Sequence, residues 1–115
     1  MTSRIAALTR YLLIGLLLAP FAAHAAETDR LNAKGKAILQ DKCASCHSIE
    51  LTGDSPLKDA PPMRTIYRRF NEKELRAELT EGMVSKHKAM PQIEFSAEDT
   101  YAIMTYLYTL ATAKK

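Results

Sequence analysis

The chain has 115 residues, of which 47% are hydrophobic and 25% are charged, and it contains two cysteines and no tryptophan. Its 16 basic and 13 acidic residues give a formal net charge of +3, which provides no case for nucleic-acid binding. A chain of this length is expected to form one domain with a modest hydrophobic core.

The first 25 residues have the pattern of a secretory signal peptide. Arg4 and Arg10 precede an uncharged, largely apolar stretch over 11–26. The Ala-His-Ala sequence at 23–25 fits a small-x-small cleavage site. The stretch is shorter than the roughly 20 residues that a membrane-spanning helix needs, and an uncleaved amphipathic anchor is the alternative interpretation. We therefore expect a signal peptide over 1–25, a mature domain over 26–115 without a membrane span, and a periplasmic location.

The first helix of the mature chain is predicted over 29–42. Leu31, Ile38 and Leu39 share one face of it with Gly35. A glycine inside a helix costs about 1 kcal/mol relative to alanine, so we expect a packing reason for it. The expected reason is the close approach of another helix.

The segment Cys43-Ala44-Ser45-Cys46-His47 follows and is the most informative motif of the chain. Two thiols three positions apart, followed at once by an imidazole, form the attachment pattern of a c-type haem. Each cysteine can form a thioether with one vinyl group of the porphyrin, and the neutral imidazole of His47 can bind the iron. The motif thus predicts one haem c, covalently attached through Cys43 and Cys46, which is normally assembled after export.

Three other interpretations of this motif are less favourable than haem attachment. A dithiol redox motif would need a strand–turn–helix context, which the sequence does not show. A zinc ion would need four ligands, and His47 and His87 are the only histidines after the leader. A disulfide would be a transient state before attachment. Haem attachment is favoured because it also accounts for the export signal.

Two helices are predicted in the middle of the chain, after a loop over 49–62 that glycine and proline residues interrupt. The first covers 63–70, where apolar side chains recur with helical spacing. The second covers 72–81, begins after an N-cap at Asn71 and ends at Gly82.

The last helix is predicted from its N-cap at Ser96 to about Ala111, after a second loop over 83–95. We expect it to cross the first helix near Gly35, because the large aromatic ring of Tyr106 needs a small partner for close packing. The chain is therefore predicted to be all-α, with about four helices and no sheet.

A single histidine leaves one axial position of the iron open, and the group that fills it decides what the haem can do. Met90 is the candidate, because it lies on a loop between helices and Pro91 restricts it to extended conformations. A thioether ligand would raise the reduction potential and keep oxygen off the iron. His87 is the competing ligand, whereas Met63 and Met104 are interpreted as core residues.

These residues resemble class I c-type cytochromes over nearly the whole mature chain. The matching features are the Cys-x-x-Cys-His motif at 43–47, the proline loop at 60–61, the Met-Pro pair at 90–91 and a closing helix that contains 103–107. The resemblance implies a small cytochrome c-like fold wrapped around one haem. It also implies that a proline carbonyl of the middle loop accepts a hydrogen bond from the ligating histidine, with Pro61 at the matching position and Pro62 as the fallback.

We therefore expect a periplasmic one-electron carrier that is a monomer, is not an enzyme and docks transiently with redox-partner proteins. Four lysines in segments that flank the expected haem edge form either a docking patch or an ordinary solvated surface: Lys42, Lys58, Lys86 and Lys88. Three arginines lie off the apolar stripe of the second helix, and a solvated face is favoured over a propionate contact for them: Arg64, Arg68 and Arg69.

Two alternatives to the free carrier stay open. The chain could be the haem subunit of a larger oxidoreductase complex, because docking surfaces leave no sequence motif. It could instead be a gas-binding or catalytic haem protein, which would require that Met90 does not bind the iron or leaves it easily.

Overall fold

The computed structural model describes the backbone of residues 2–82 and 89–113, and the side chains from residue 22 onward within those ranges. The described residues form four α-helices: α1 (Thr2–Lys42), α2 (Met63–Arg69), α3 (Glu72–Glu81) and α4 (Ala97–Thr112). No β-strand occurs in these residues, and the predicted all-α class is confirmed.

The last three helices begin and end within one residue of their predicted limits. Asn71 caps α3 by accepting a hydrogen bond from the backbone N–H of Glu74, and Ser96 caps α4 by accepting one from Asp99. Gly82 ends α3 with a φ of 87°, a left-handed conformation that glycine adopts without steric cost. These helix limits are local features, because each cap joins residues three positions apart and the end at Gly82 depends on one glycine.

The first helix is longer than predicted, because α1 begins at Thr2 and not at residue 29. Alanine and leucine are frequent before residue 29 and both favour helix, so the signal-like segment continues directly into the helix of the domain. Residues 22–30 are exposed, and Leu31 is the first buried side chain that the structure describes. None of the described helices combines the length and the apolar character needed to cross a membrane.

The hydrophobic core is built around α4, which contacts all three other helices. Its buried residues include Ile103 and Leu107, and it is met by Leu39 from α1, Met63 from α2 and Leu75 from α3. Seven residues of this one helix are buried, so it forms the centre of the fold.

The crossing of α1 and α4 lies at Gly35, as predicted. A Cβ atom at this position would run into the backbone carbonyl of Ala102 and would lie 3.0 Å from the Cβ of Tyr106. The missing side chain therefore lets the two helix backbones approach each other closely.

Candidate haem-attachment site

The Cys-x-x-Cys-His motif forms the turn that ends α1. The backbone N–H of Cys43 donates to the carbonyl of Leu39 at 2.9 Å, and the carbonyl of Cys43 accepts from Cys46 at 3.1 Å and from His47 at 2.9 Å. These hydrogen bonds coil the motif tightly, so two thiols and one imidazole leave the backbone within a single short turn. Both thiols are free in the structure.

The two half-buried thiols have different surroundings. Cys43 packs against the hydrophobic core, where burial raises the pKa of its thiol to about 11, with a smaller contribution from Cys46. The Sγ of Cys46 instead accepts a 3.8 Å hydrogen bond from the hydroxyl of Ser45. At neutral pH Cys43 is thus a neutral thiol in apolar surroundings, which suits an apolar porphyrin edge.

The imidazole of His47 is only 8% exposed, and a hydrogen bond orients it. Its Nδ1 atom lies 2.7 Å from the backbone carbonyl oxygen of Pro61. A carbonyl can only accept, so Nδ1 carries the proton and Nε2 is left as the basic nitrogen. The carbonyl of Pro62 has a different role, because it accepts hydrogen bonds from the backbone N–H and the hydroxyl of Thr65.

The residues of the motif fit a covalently bound haem. Two free thiols stand three positions apart, and no described residue is hydrogen-bonded to the Nε2 atom of the adjacent imidazole. A histidine that ligates a metal almost always donates its other ring N–H to a neighbouring carbonyl or carboxylate, which sets its tautomer and orientation. The contact between His47 and Pro61 has this form.

Hydrogen bonds hold the backbone of the two residues next to the histidine, Cys46 and Ser48. The N–H of Ser48 donates to the hydroxyl of Ser55 at 3.0 Å, and the carbonyl of Ser48 accepts from the N–H of Met63 at 2.8 Å. One residue before the histidine, the carbonyl of Cys46 accepts from the N–H of Leu57 at 3.1 Å. The loop and the start of α2 therefore hold the second half of the motif in place.

Arg64 has a role that its sequence position did not predict. We expected it on a solvated face of α2, but its guanidinium donates to the hydroxyl of Ser48 and to the carbonyl oxygens of Glu50 and Gly53. Nothing in the sequence marks these acceptors, because two of them are backbone carbonyls whose position depends on how the loop folds.

Tyr106 also holds this loop, in addition to its packing against Gly35. Its hydroxyl donates a 2.9 Å hydrogen bond to the backbone carbonyl of Ile49. The sequence does contain a signal for a contact of this kind, because a buried tyrosine hydroxyl usually finds a hydrogen-bond partner. It does not identify the acceptor.

Met90, the candidate second ligand, lies in the loop between α3 and α4, and its side chain is half-buried. The loop after it is tied back to α3. The N–H of Phe95 donates to the carbonyl of Leu79 at 3.0 Å, and the side-chain amide of Gln92 donates to the carbonyl of Gly82 at 3.5 Å. The other four candidate residues lie together at the end of α1: Cys43, Cys46, His47 and Pro61. Met90 belongs to a separate segment of the chain.

Several of the predicted surface charges have partners within the chain. Lys42 pairs with Asp41 at 2.8 Å, whereas Lys58 is exposed. Arg68 donates to the carbonyl of Ala111 at 2.6 Å. Three residues that the sequence analysis named lie outside the described residues: Lys86, His87 and Lys88.

Comparison with known proteins identifies the family of the chain. The family model of cytochrome c matches residues 32–111, a range that contains both cysteines, His47 and Met90. No curated protein and no solved structure is similar enough to the chain to count as a match. The matched range covers well over half of the 115 residues and begins next to Leu31, the first buried side chain described. The chain therefore belongs to the cytochrome c family, which implies a covalently bound haem c and supports the role of a haem-based electron carrier.

Proposed function

We propose that the chain is a periplasmic one-electron carrier whose haem c is attached through Cys43 and Cys46 and ligated by His47 and Met90. The observation that carries this proposal is the 2.7 Å contact between Nδ1 of His47 and the carbonyl of Pro61, because it leaves Nε2 available for the iron. Family membership supports the role of electron carrier.

Bound haem would supply an Fe(III)/Fe(II) couple, and the residues of the chain would keep its surroundings constant. The hydrogen bond from Nδ1 of His47 to the carbonyl of Pro61 favours one tautomer and one orientation of the imidazole. The hydrogen bonds of Ser48 to Ser55 and Met63 restrain the adjacent backbone. Such rigidity suits electron transfer, because the protein then rearranges little when the charge of the site changes.

Several features support Met90 as the second axial ligand. Its side chain is half-buried on a connecting segment that is hydrogen-bonded back to α3 through Phe95 and Leu79. Pro91 lacks a backbone N–H and restricts Met90 to extended conformations. A soft thioether favours Fe(II) and so raises the potential, and a filled sixth position keeps small ligands off the iron.

The exposed start of the domain supports export with cleavage near Ala25. Residues 22–30 are exposed along α1, so cleavage there would remove no described side chain from the core. The mature domain would then be 26–115, and export would agree with a haem that is attached outside the cytoplasm. In this proposal the carrier is a monomer that meets its redox partners only transiently.

Optical spectra of the purified holoprotein test the ligation. We expect a low-spin spectrum, a weak sulfur-to-iron band in the ferric state and no change when CO is added to the reduced protein. Met90→Leu should abolish the sulfur band and allow CO to bind. Met104→Leu is the matched control, because Met104 is 4% exposed in the core and its replacement should leave the spectrum unchanged.

Two results would count against the proposal. A high-spin spectrum or rapid CO binding in the unmodified protein would mean that the sixth position is open, as in a gas-binding or catalytic haem. Copurification with an enzyme subunit under gentle lysis would instead indicate the haem subunit of a larger oxidoreductase.

A further inference from the structure

We propose that Arg64 is a positioning residue for His47. By holding the loop 48–53 against the start of α2, it maintains the hydrogen bond between the imidazole and the carbonyl of Pro61. The inference rests on the proposed function only in that it takes His47 to be the iron ligand.

The guanidinium of Arg64 makes three hydrogen bonds, and all of them go to the segment that follows His47. Nη2 donates to the carbonyl of Gly53 at 2.8 Å, and Nη1 donates to the hydroxyl of Ser48 and the carbonyl of Glu50, both at 3.3 Å. Arg64 has no ion pair with any carboxylate of the described residues. Its charge is therefore directed at loop oxygens, and hydrogen bonds from a charged donor are stronger than neutral ones.

These bonds belong to a series that joins two short segments, 47–53 and 61–64. In chain order they join His47 to Pro61, Ser48 to Met63, and Ser48, Glu50 and Gly53 to Arg64. The contact with the imidazole lies at one end of the series and the guanidinium lies at the other. A loss at the guanidinium end should therefore loosen the contact that orients the imidazole.

Arg64 holds the backbone of the outer part of the loop, whereas Lys36 of α1 pairs only with the side chain of Glu50, at 2.8 Å. Among the described residues, Arg64 is the only donor to the carbonyls of Glu50 and Gly53. Gly53 has a φ of 87°, and a Cβ built on it would meet no atom within 4 Å, so packing does not hold this turn. Leu51 is 52% exposed. The guanidinium thus provides the contact that fastens this end of the loop.

Three variants of the reduced holoprotein test the proposal. Arg64→Lys keeps the charge but lacks the planar fork that reaches several acceptors, whereas Arg64→Gln loses both. Arg69→Gln is the matched control, because Arg69 is an exposed arginine of the same helix without a hydrogen bond to a described residue. The measurements are hydrogen exchange of the His47 Nδ1 proton and the Met63 amide by NMR, and the midpoint potential.

We expect both Arg64 variants to exchange these two protons about tenfold faster than the unmodified protein, and Arg69→Gln to leave them unchanged. The potential of Arg64→Lys should rise, since a weaker hydrogen bond to Pro61 makes the imidazole a poorer electron donor. Unchanged exchange and potential in Arg64→Lys would overturn the proposal, and so would an equal effect of Arg69→Gln. If Arg64→Gln does not fold, Arg64→Lys decides alone.

Failure of the proposed function can be told apart from failure of this inference. An unmodified protein whose spectrum shows no histidine ligation would overturn the proposed function before any variant is compared. Exchange of the Met63 amide would still test whether Arg64 fastens the loop, because the bond from Met63 to Ser48 involves no iron ligand.

Discussion

The hydroxyl of Tyr106 donates a 2.9 Å hydrogen bond to the backbone carbonyl of Ile49, two residues after the candidate iron ligand. Arg64 binds the same loop from α2. The loop after the motif is therefore held by side chains from α2 and α4, and Lys36 of α1 pairs with the side chain of Glu50 at 2.8 Å. Its position depends on how these helices pack together, so packing far from the motif affects the surroundings of His47.

We expect Tyr106→Phe to lower the free energy of unfolding by about 1–3 kcal/mol, because the substitution leaves a buried carbonyl without its partner. Tyr108→Phe is the matched control on the same helix, since Tyr108 is 56% exposed. Urea denaturation of both variants measures the difference. Equal losses in the two variants would show that the bond to Ile49 contributes nothing specific.

Gly35→Ala should push α1 away from α4 and lower the free energy of unfolding by about 1–3 kcal/mol. The added methyl group would run into the carbonyl of Ala102, which cannot move without moving α4. Ala37→Gly is the control for helix propensity at an exposed position of α1, and it should cost about 1 kcal/mol. Helix propensity alone would make Gly35→Ala more stable, so a lower melting temperature of this variant in thermal unfolding would show the effect of the clash. A Gly35→Ala variant more stable than the unmodified protein would contradict the close crossing.

Lys34 joins α1 to the first turn of α4, where its Nζ lies 2.6 Å from Glu98 and 2.9 Å from Asp99. Hydrogen bonds from Lys34 and then Ser96 hold the pKa of Asp99 below its ordinary value, and those with Glu98 and Asp99 raise the pKa of Lys34. Ionised Asp99 therefore stabilises the fold above its unfolded-state pKa, and this contribution is lost as the pH falls through the folded-state value. Charged Lys34 contributes below its own unfolded-state pKa and stops contributing as the pH rises through the folded-state value.

Lys34→Met should consequently be less stable than the unmodified protein at neutral pH, and the difference should shrink as the pH falls through the lowered pKa of Asp99. Denaturation curves at a series of pH values measure this difference. Lys73→Met, an exposed position of α3 without an ion pair to a described residue, should show no such trend. A Lys34 effect that is the same at neutral and acidic pH would rule out the ion pair as its cause.

Loss of covalent attachment should leave the chain without a fixed tertiary structure. The main core cluster of the described part contains only nine buried residues, and a domain of this size often needs an additional covalent or ligand contact. We expect the double variant Cys43→Ala and Cys46→Ala to keep helical far-UV circular dichroism and to lose its near-UV signal. Ser45→Ala, which leaves both thiols, is the control. A native near-UV signal in the double variant would show that the protein core is sufficient alone.

Most of the features that could be predicted from the sequence depend on near neighbours. Asn71 and Ser96 cap their helices through residues three positions away, so the limits of α3 and α4 followed from the local pattern. The haem motif is local as well, since its whole pattern lies within five residues. The contact at Gly35 joins residues that are distant in sequence, but it was predictable because a glycine on the apolar face of a helix lowers stability unless it lets a second helix come close.

Other features were not predictable because they depend on the folded backbone. The acceptors of Arg64 come close to its guanidinium only after the loop closes on α2. The spacing of apolar residues in α2 shows only that this side chain lies off the apolar stripe. The predicted start of α1 was wrong because helix propensity does not distinguish a signal-like segment from the domain helix that follows it. The relation of Met90 to His47 stays a prediction.

The contact between Gly35 and Ala102 also constrains the order in which the chain can fold. It joins the helix that carries the motif to the last helix, and the described core is assembled on that last helix. Contacts between residues so distant in sequence are slow to form, because a long loop must close first. A chain that emerges from its N-terminus therefore cannot complete the packing around Cys43 until the 16 residues of α4 have emerged.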